Sequence, residues 1–449
     1  MRAGDAPVAA VAAHAERPSW QLWRLVIALE RLPQAAYVWD DSDPGVVWDA
    51  AGDPFVWDAP FVGSGFTDVF CDYAGLELVT GEPDEHELYR TGECTLTLVD
   101  PGDGRYRKRT PDGRLVYWSL DRELQVYVID DAGTPWWLFR GRIARWHETH
   151  DGTGMVEITA YAGSAELAQQ LGDHWTAGST GQYPSQRASS ILTAAGYTRG
   201  AIADVGDLQL LVAPADSHSP WEALQQAYWS DGGVVYSDAD DQLRLRDRRW
   251  RNGRTDQPGL VILTDNVCDV SGAVVVWDFE SSDDDDWLAG RVILTNIADP
   301  PLIADVSAPS SAQLTAAVRY THAGPDLGST QPDGTALAAF VLAARSQPRL
   351  AIAHAAVYLH DIRNPGYWPT VLNMRLGDKV RWWHEDRWDD GSYSLLDLGV
   401  VIQTIRHRIS PEAWIVELET SPAVDYTPVE LWDQTRFVWD DADPLAAWR

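Results

Sequence analysis

The feature that most constrains the fold is a period-2 alternation of apolar residues, interrupted by turns about every ten residues between positions 61 and 160. The clearest example is Thr91–Tyr106, where Cys94, Leu96 and Leu98 alternate with other residues before an Asp-Pro-Gly turn. Similar segments follow at Leu115–Trp118, Leu124–Ile129, Trp136–Ile143 and Met155–Thr159. Short strands at this spacing predict a barrel or sandwich rather than a parallel α/β sheet.

Length and charge limit the number of domains and the kinds of partner that this chain can have. The 449 residues correspond to about two to four domains. A formal charge of −32 argues against a nucleic-acid-binding surface, because phosphate neutralisation needs clustered Lys and Arg. The same charge suits a surface that must not adhere to passing nucleic acid. The 23 tryptophans have two interpretations: burial in cores and interfaces, which we favour, or a platform for sugar.

The cysteines and the N-terminal residues indicate where the protein is made. Cys71, Cys94 and Cys268 form no C-x-x-C pair, so neither a disulfide framework nor a zinc signature is predicted. We expect buried free thiols, which suit a reducing cytoplasm. The first residues contain only a short apolar run and are too weakly cationic for a secretory signal. No run approaches the roughly 20 apolar residues of a membrane span.

No catalytic constellation stands out. His147 and His150 are three residues apart and precede an Asp-Gly turn, so an exposed hairpin end is favoured over a metal site. There is no G-x-S-x-G elbow, P-loop or Rossmann glycine pattern. Carboxylates are too numerous to single out a glycosidase dyad. We predict that the chain is not an enzyme and has no catalytic, cofactor-binding or metal-binding residues.

Two acidic segments that contain tryptophan share one pattern. Val38–Trp48 and Val438–Trp448 match in spacing throughout, and partial copies surround Trp57 and Trp432. Their Asp and Pro content disfavours helix and central strand, so we interpret them as extended Trp-Asp arms. Three functions remain open: local packing of surface loops, docking onto neighbouring subunits, and, least favoured, calcium binding. The candidate docking residues are Trp39, Trp48, Trp57, Trp432, Trp439 and Trp448.

Helices are predicted in the middle of the chain. Ser185–Ala195 has one apolar face and stops at Gly196. Ser219, Pro220 and Glu222 form a helix-start pattern, which precedes a hairpin that ends near Arg246. A third helix is predicted at Gly334–Arg345, between two further sets of strands.

The order of these motifs resembles the minor tail proteins of phages that infect actinobacteria, or of a related phage-tail-like particle. That group is similar to the baseplate hub of contractile tails and of related injection systems. The matching stretches are Phe66–Val69, Gly92–Leu98 with Gly104–Tyr106, Ala188–Tyr197, Trp221–Arg248 and Leu376–Val380. Asp100 stands where the family usually has Asn. The two Trp-Asp arms lie outside the family pattern, so their role is not carried over.

The resemblance implies a mainly β chain, α+β overall, with two hub-type β-barrels, an inserted small α+β domain and Trp-Asp arms towards both ends. The expected parts, in chain order, are a flexible N-terminus (1–18), a first β-barrel (19–163) with a Trp-Asp insertion (34–61), a small α+β domain (164–250), a second β-barrel (251–425) with a helical insertion (around 333–347), and a C-terminal Trp-Asp arm (426–449). The domain boundaries follow the changes in sequence pattern described above.

The resemblance also implies a structural virion protein at the tail tip, made in the host bacterial cytoplasm. Three copies would form a six-fold-like ring that closes or extends the tail tube, lines part of the DNA channel and anchors adsorption proteins for genome ejection. The expected partners are a distal tail ring protein, the tape measure protein and other minor tail or receptor-binding proteins, with DNA only in transit. One alternative is a tail protein that binds cell-wall polysaccharide through Trp-rich arms, and a less favoured one is a wall hydrolase.

Overall fold

The computed structural model describes residues 24–30, 66–81, 92–101, 106, 122–129, 135–149, 154–170, 181–211, 219–252, 261–265, 273–282, 290–296, 303–307, 319–326, 331–345, 351–359, 367–387 and 393–423. This part of the chain is mainly β, with one curled 14-stranded sheet, two three-stranded sheets and few helices. None of the helices within these ranges has the length and apolar character needed to cross a bilayer.

The first strand group contains the strands before residue 163, hydrogen-bonded in the order β3-β4-β7-β6-β5-β1-β2. These strands are β1 (Arg24–Glu30), β2 (Phe66–Asp68), β3 (Tyr73–Gly81), β4 (Glu93–Val99), β5 (Glu123–Ile129), β6 (Pro135–Glu148) and β7 (Met155–Ala162). The segment 66–81 contacts both edges of this group: β2 pairs with β1, and β3 pairs with β4 after a short 3-10 turn. One piece of chain therefore links the first and last strands of the group.

The alternation in Thr91–Tyr106 predicts the burial pattern of β4 correctly. Cys94, Leu96 and Leu98 are fully buried in the core of the first strand group. Tyr106, at the end of the stretch, is also buried there and donates a hydrogen bond to the Asp72 carboxylate. Burial raises the pKa of the Cys94 thiol well above its usual value, so this cysteine is an inert core residue.

The middle of the chain forms a small α+β unit. Its elements are α1 (Ala165–Gln169), α2 (Pro184–Ala194), β8 (Ala201–Ala203), α3 (Pro220–Trp229), β9 (Val234–Ser237) and β10 (Leu243–Arg246). The three strands pair in the order β8-β10-β9, with β8 parallel to β10. The predicted start of α3 is confirmed, since Ser219 accepts from the Glu222 N–H and Glu222 accepts from the Ser219 N–H.

The second strand group follows, hydrogen-bonded in the order β12-β11-β18-β19-β20-β17-β13. Its strands are β11 (Val261–Thr264), β12 (Val274–Val275), β13 (Asp278–Ser282), β17 (Ala351–Tyr358), β18 (Lys379–Arg387), β19 (Tyr393–Ile409) and β20 (Trp414–Pro422). Here too one segment reaches both edges, because the Val276 N–H donates to Thr264 and the Trp277 N–H donates to Ala356.

The remaining described elements lie between β13 and β19 in the sequence. They are β14 (Arg291–Asn296), β15 (Ile303–Ser307), β16 (Arg319–Asp326), α4 (Gln331–Arg345) and α5 (Trp368–Leu372). Strands β14–β16 form their own sheet, against which α4 packs. The helix predicted at Gly334–Arg345 is therefore present and begins three residues earlier than predicted.

Strand β19 joins the two strand groups into one sheet. Its 17 residues pair with β18 along the first half, while the second half lies between β3 of the first group and β20 of the second. Both groups share one continuous cluster of buried apolar side chains. The relative position of the two groups is therefore set by backbone hydrogen bonds and a common core.

Candidate functional site: the junction of the two strand groups

The six tryptophans predicted to dock onto subunits lie outside the described residues. Trp39, Trp48, Trp57, Trp432, Trp439 and Trp448 therefore remain predictions. His147 is described and lies exposed at the end of β6, in register with Glu157, whereas His150 is outside the described ranges. Within those ranges no three metal-ligating side chains cluster.

The most elaborate arrangement in the described chain is the junction where β3 meets β19. Gly81 ends β3 at φ +101°, and a Cβ on this residue would lie 2.1 Å from the Gln403 carbonyl oxygen. The pairing of β19 with β20 is irregular between Ile402 and Thr404, which makes Gln403 the extra residue of a bulge. The buried Gln403 side chain donates to the Ser421 hydroxyl at 2.7 Å. Only glycine fits at position 81, because both the space and the backbone conformation exclude a side chain.

Charged side chains cover one face of the junction. Arg406 lies 3.4 Å from Glu77 of β3 and 3.6 Å from Glu417 of β20. Arg408 lies 3.8 Å and 2.9 Å from the same two carboxylates. These pairs are partly exposed, so each contributes a fraction of about 1 kcal/mol and serves mainly to specify the strand register.

The opposite face of β19 is apolar and contains a buried histidine. His407 accepts a hydrogen bond at Nδ1 from the Trp414 indole N–H at 3.2 Å, and Trp414 packs edge-on against Trp368. Burial lowers the pKa of His407 to about 4, so the ring is neutral at neutral pH. The junction thus has a charged face and a neutral, aromatic-lined face.

A second contact fixes the α+β unit to the second strand group. Gly377 adopts φ +80°, and a Cβ there would lie 2.1 Å from the ring of Trp250. The Gly377 N–H donates to Ile402, and the Asp378 carboxylate accepts from the Arg375 N–H. The first three residues of the Leu376–Val380 motif therefore form a turn that holds Trp250 beside the junction, and the last two begin β18.

Ion pairs connect the α+β unit to the first strand group. Glu166 forms ion pairs with Arg142 of β6 and with Arg199, each at 2.7 Å. Arg199 also pairs with the buried Asp241, which accepts a hydrogen bond from the Gly163 N–H. Because these residues come from several segments, their pairing fixes how the unit sits on the sheet.

The α+β unit also contains a buried carboxylate, whose charged form is disfavoured by burial. Asp231 accepts the backbone N–H groups of Asp207 and Leu208 at 3.0 and 2.9 Å through one oxygen. Its other oxygen is buried and has no hydrogen-bond partner among the described residues. Burial raises the pKa of Asp231 to about 6, against the opposing effect of the two N–H donors. This residue ties the loop before α3 to the end of that helix.

Together these contacts form a rigid scaffold. They position two strand groups and one α+β unit, and they use bulges, tight glycines and ion pairs to do so. Leu376–Val380 was identified in the sequence as a motif, and its function as a turn under Trp250 is visible only in the structure. Gly81, Gln403 and the Arg406–Glu77 pair had no local signal, since their partners are distant in the sequence.

Comparisons with known proteins identify the fold. No family model and no curated protein sequence matches the chain. Among solved structures, the chain is similar to a tail protein from Neisseria meningitidis MC58, with 12% identity, a TM-score of 0.53, and coverage of 81% of this chain and 95% of that one. It is also similar to the 43 kDa tail protein of prophage MuSo2 from Shewanella oneidensis, with 13% identity, a TM-score of 0.54, and coverage of 89% and 100%. The chain shares the fold of these tail proteins.

Proposed function

We propose that this chain is a structural subunit of a phage-type tail and acts at the tail tip as a baseplate hub. The observation that carries the proposal is the architecture of the 14-stranded sheet, in which β19 unites two strand groups of similar size. Each group also has a segment that contacts both of its edge strands, at 66–81 and 274–282. We interpret each group as a hub-type β-barrel closed by that segment.

Two barrels held side by side explain how a few chains can form a ring. Three copies, each with two similar barrels, would give six barrels around a channel. The rigid junction suits this arrangement, because an angle between barrels that varied from copy to copy would prevent ring closure. A net charge of −32 would keep DNA from adhering to the lumen during ejection. The chain would then be a scaffold rather than an enzyme.

The partners follow from this location. A ring at the end of the tube would stack on a distal tail ring protein, receive the end of the tape measure protein and anchor receptor-binding proteins. The C-terminal and inserted Trp-Asp arms would contact neighbouring subunits. The domain boundaries predicted at 163, 250 and 425 are part of the same proposal.

The proposal is tested by the assembly state of the full chain. Light scattering should give the mass of three copies, and negative staining should show rings with a central opening. A protein that stays monomeric at all accessible concentrations, with no rings in the images, would overturn the hub proposal. A pull-down on actinobacterial cell walls that needed only the Trp-Asp arms would favour the polysaccharide-binding alternative.

A further inference from the structure

The tripeptide Val-Trp-Asp recurs in this chain at Val38–Asp40, Val47–Asp49, Val56–Asp58, Val276–Asp278 and Val438–Asp440. The first three copies are spaced nine residues apart, and Trp448 follows Trp439 at the same spacing. Four of the five copies lie in the Trp-Asp arms. The copy at Val276–Asp278 is within the described residues, so its structure shows how this sequence can pack.

The described copy connects β12 to β13, has a bend at Trp277, and hydrogen-bonds through its backbone to a strand on each side. The Val276 N–H donates to the Thr264 carbonyl at 2.8 Å, and the next N–H, of Trp277, donates to the Ala356 carbonyl at 2.9 Å. Val276 is buried in the core, whereas Trp277 is 58% exposed and packs on the Tyr358 ring. A Val-Trp-Asp segment can therefore donate backbone hydrogen bonds to a strand, with its valine buried and its tryptophan exposed.

The described chain also presents a free strand edge. In β8, the Gly200 carbonyl accepts from Leu243 and the Asp204 N–H donates to Leu245. The backbone groups of Ala201 and Ala203 therefore point away from β10, because successive residues of a strand alternate in direction. All three residues of β8 are exposed, and Ile202 and Val205 are among the most exposed large apolar side chains described.

We propose that β8 is the receptor for the C-terminal Trp-Asp arm, residues 426–449, of a second copy of this chain. Val438–Asp440 adds to the outer edge of β8 as a strand and places apolar side chains against Ile202. An exposed apolar edge is a template for pairing with another chain, and the arm supplies the alternating segment that fits it. The choice of a second copy rests on the proposed multi-subunit function.

The length of the arm permits this contact. The described chain ends at Ala423, whose N–H donates to the Gly399 carbonyl of the second strand group. The 15 residues from Ala423 to Val438 can span up to about 50 Å when extended, which exceeds the roughly 30 Å diameter of a small domain. Docking within one chain competes with docking between copies, and the complementation measurement below distinguishes the two.

The first measurement is binding of a fluorescent peptide of residues 426–449 to the chain truncated after residue 425. Ala203→Pro removes the outward N–H of β8 and leaves the bonds to β10 in place, so it should weaken peptide binding at least tenfold. Ala203→Ser, which keeps the N–H, is the matched control and should bind normally. Ile202→Glu should also weaken binding, through loss of apolar contact and repulsion of the acidic arm. No peptide binding, or equal binding to the Ala203→Pro chain, would overturn the proposal.

The second measurement uses complementation to distinguish docking between copies from docking within one chain. The truncated chain can accept an arm but has none to donate, and the full-length Ala203→Pro chain can donate but not accept. Neither alone should self-associate through this contact, whereas an equimolar mixture should form heterodimers in analytical ultracentrifugation. A mixture that stays monomeric would overturn docking between copies. If rings form normally with Ala203→Pro, the hub function stands and the β8 contact is wrong.

Discussion

The Gln403 carbonyl oxygen lies 2.1 Å from the position that a Cβ on Gly81 would occupy. Gly81 ends a strand of the first group, and Gln403 is the bulged residue of the strand that both groups share. The two groups therefore meet at a point where only a glycine allows the backbones to approach. This close contact explains why the junction has one geometry, and it can be tested by mutation.

Gly81→Ala should destabilise the protein by at least about 2 kcal/mol, because the new methyl group clashes with Gln403 and φ +101° is strained for alanine. The free energy of unfolding in guanidinium measures the loss. Gly75→Ala in the same strand is the matched control, since a Cβ there meets nothing within 4 Å. Equal stability of the two variants would show that the junction is not closely packed.

Gly377→Ala should displace Trp250 and loosen the α+β unit from the second strand group. We expect a loss of about 2–3 kcal/mol and a red shift of tryptophan emission as the indole ring becomes exposed. Gly196→Ala separates the clash from the backbone strain, because Gly196 also has a positive φ but has open space around it. A similar loss for both variants would mean that strain alone explains the effect.

Asp231 should make the protein more stable as the pH falls from about 6 to 4. Its pKa is about 6 in the folded chain and near 3.8 when unfolded, so the native state takes up the proton first. The gain is up to about 3 kcal/mol at pH 4 relative to pH 7. Asp231→Asn keeps an acceptor for Asp207 and Leu208 and removes the titration. The difference in unfolding free energy between wild type and variant, measured from pH 4 to 7, should change by that amount, and a constant difference would contradict the assignment.

His407 should have the opposite effect. Its pKa is about 4 in the folded chain and near 6.5 when unfolded, so the unfolded state takes up the proton first as the pH falls. Stability contributed by the neutral ring is present above pH 6.5 and decreases by about 2–3 kcal/mol down to pH 4. His407→Gln keeps an acceptor within reach of the Trp414 indole. The free energy of unfolding of this variant should fall less steeply below pH 6.5 than that of the wild type. Parallel curves for wild type and variant would show that His407 is not buried as described.

Local features of the fold could be predicted from the sequence, and long-range ones could not. The burial of Leu96 and Leu98 follows from their alternation, and the start of α3 follows from the Ser219–Glu222 capping pattern, because each depends on neighbouring residues. The pairing of Gly81 with Thr404 joins positions far apart in the chain, and no local pattern encodes it. By contrast, the hairpin predicted to end near Arg246 is confirmed, because β9 and β10 are close in the sequence and pair antiparallel.

In the candidate site, too, local features could be predicted from the sequence and long-range contacts could not. The Leu376–Val380 motif was recognisable, but its role in seating Trp250 depends on a contact between distant residues. The Arg406–Glu77 pair could not be chosen from 35 basic and 67 acidic residues without a register. The Trp-Asp arms were visible as a repeat, and their docking remains a proposal.

The most direct test of the hub proposal is a cryo-electron microscopy reconstruction of a tail particle that contains this chain. We predict a ring at the end of the tail tube, with six barrel densities from three copies around an open channel and β19 bridging each pair of barrels. Density for the chain elsewhere in the particle, or a single copy with its two strand groups far from the channel, would contradict it.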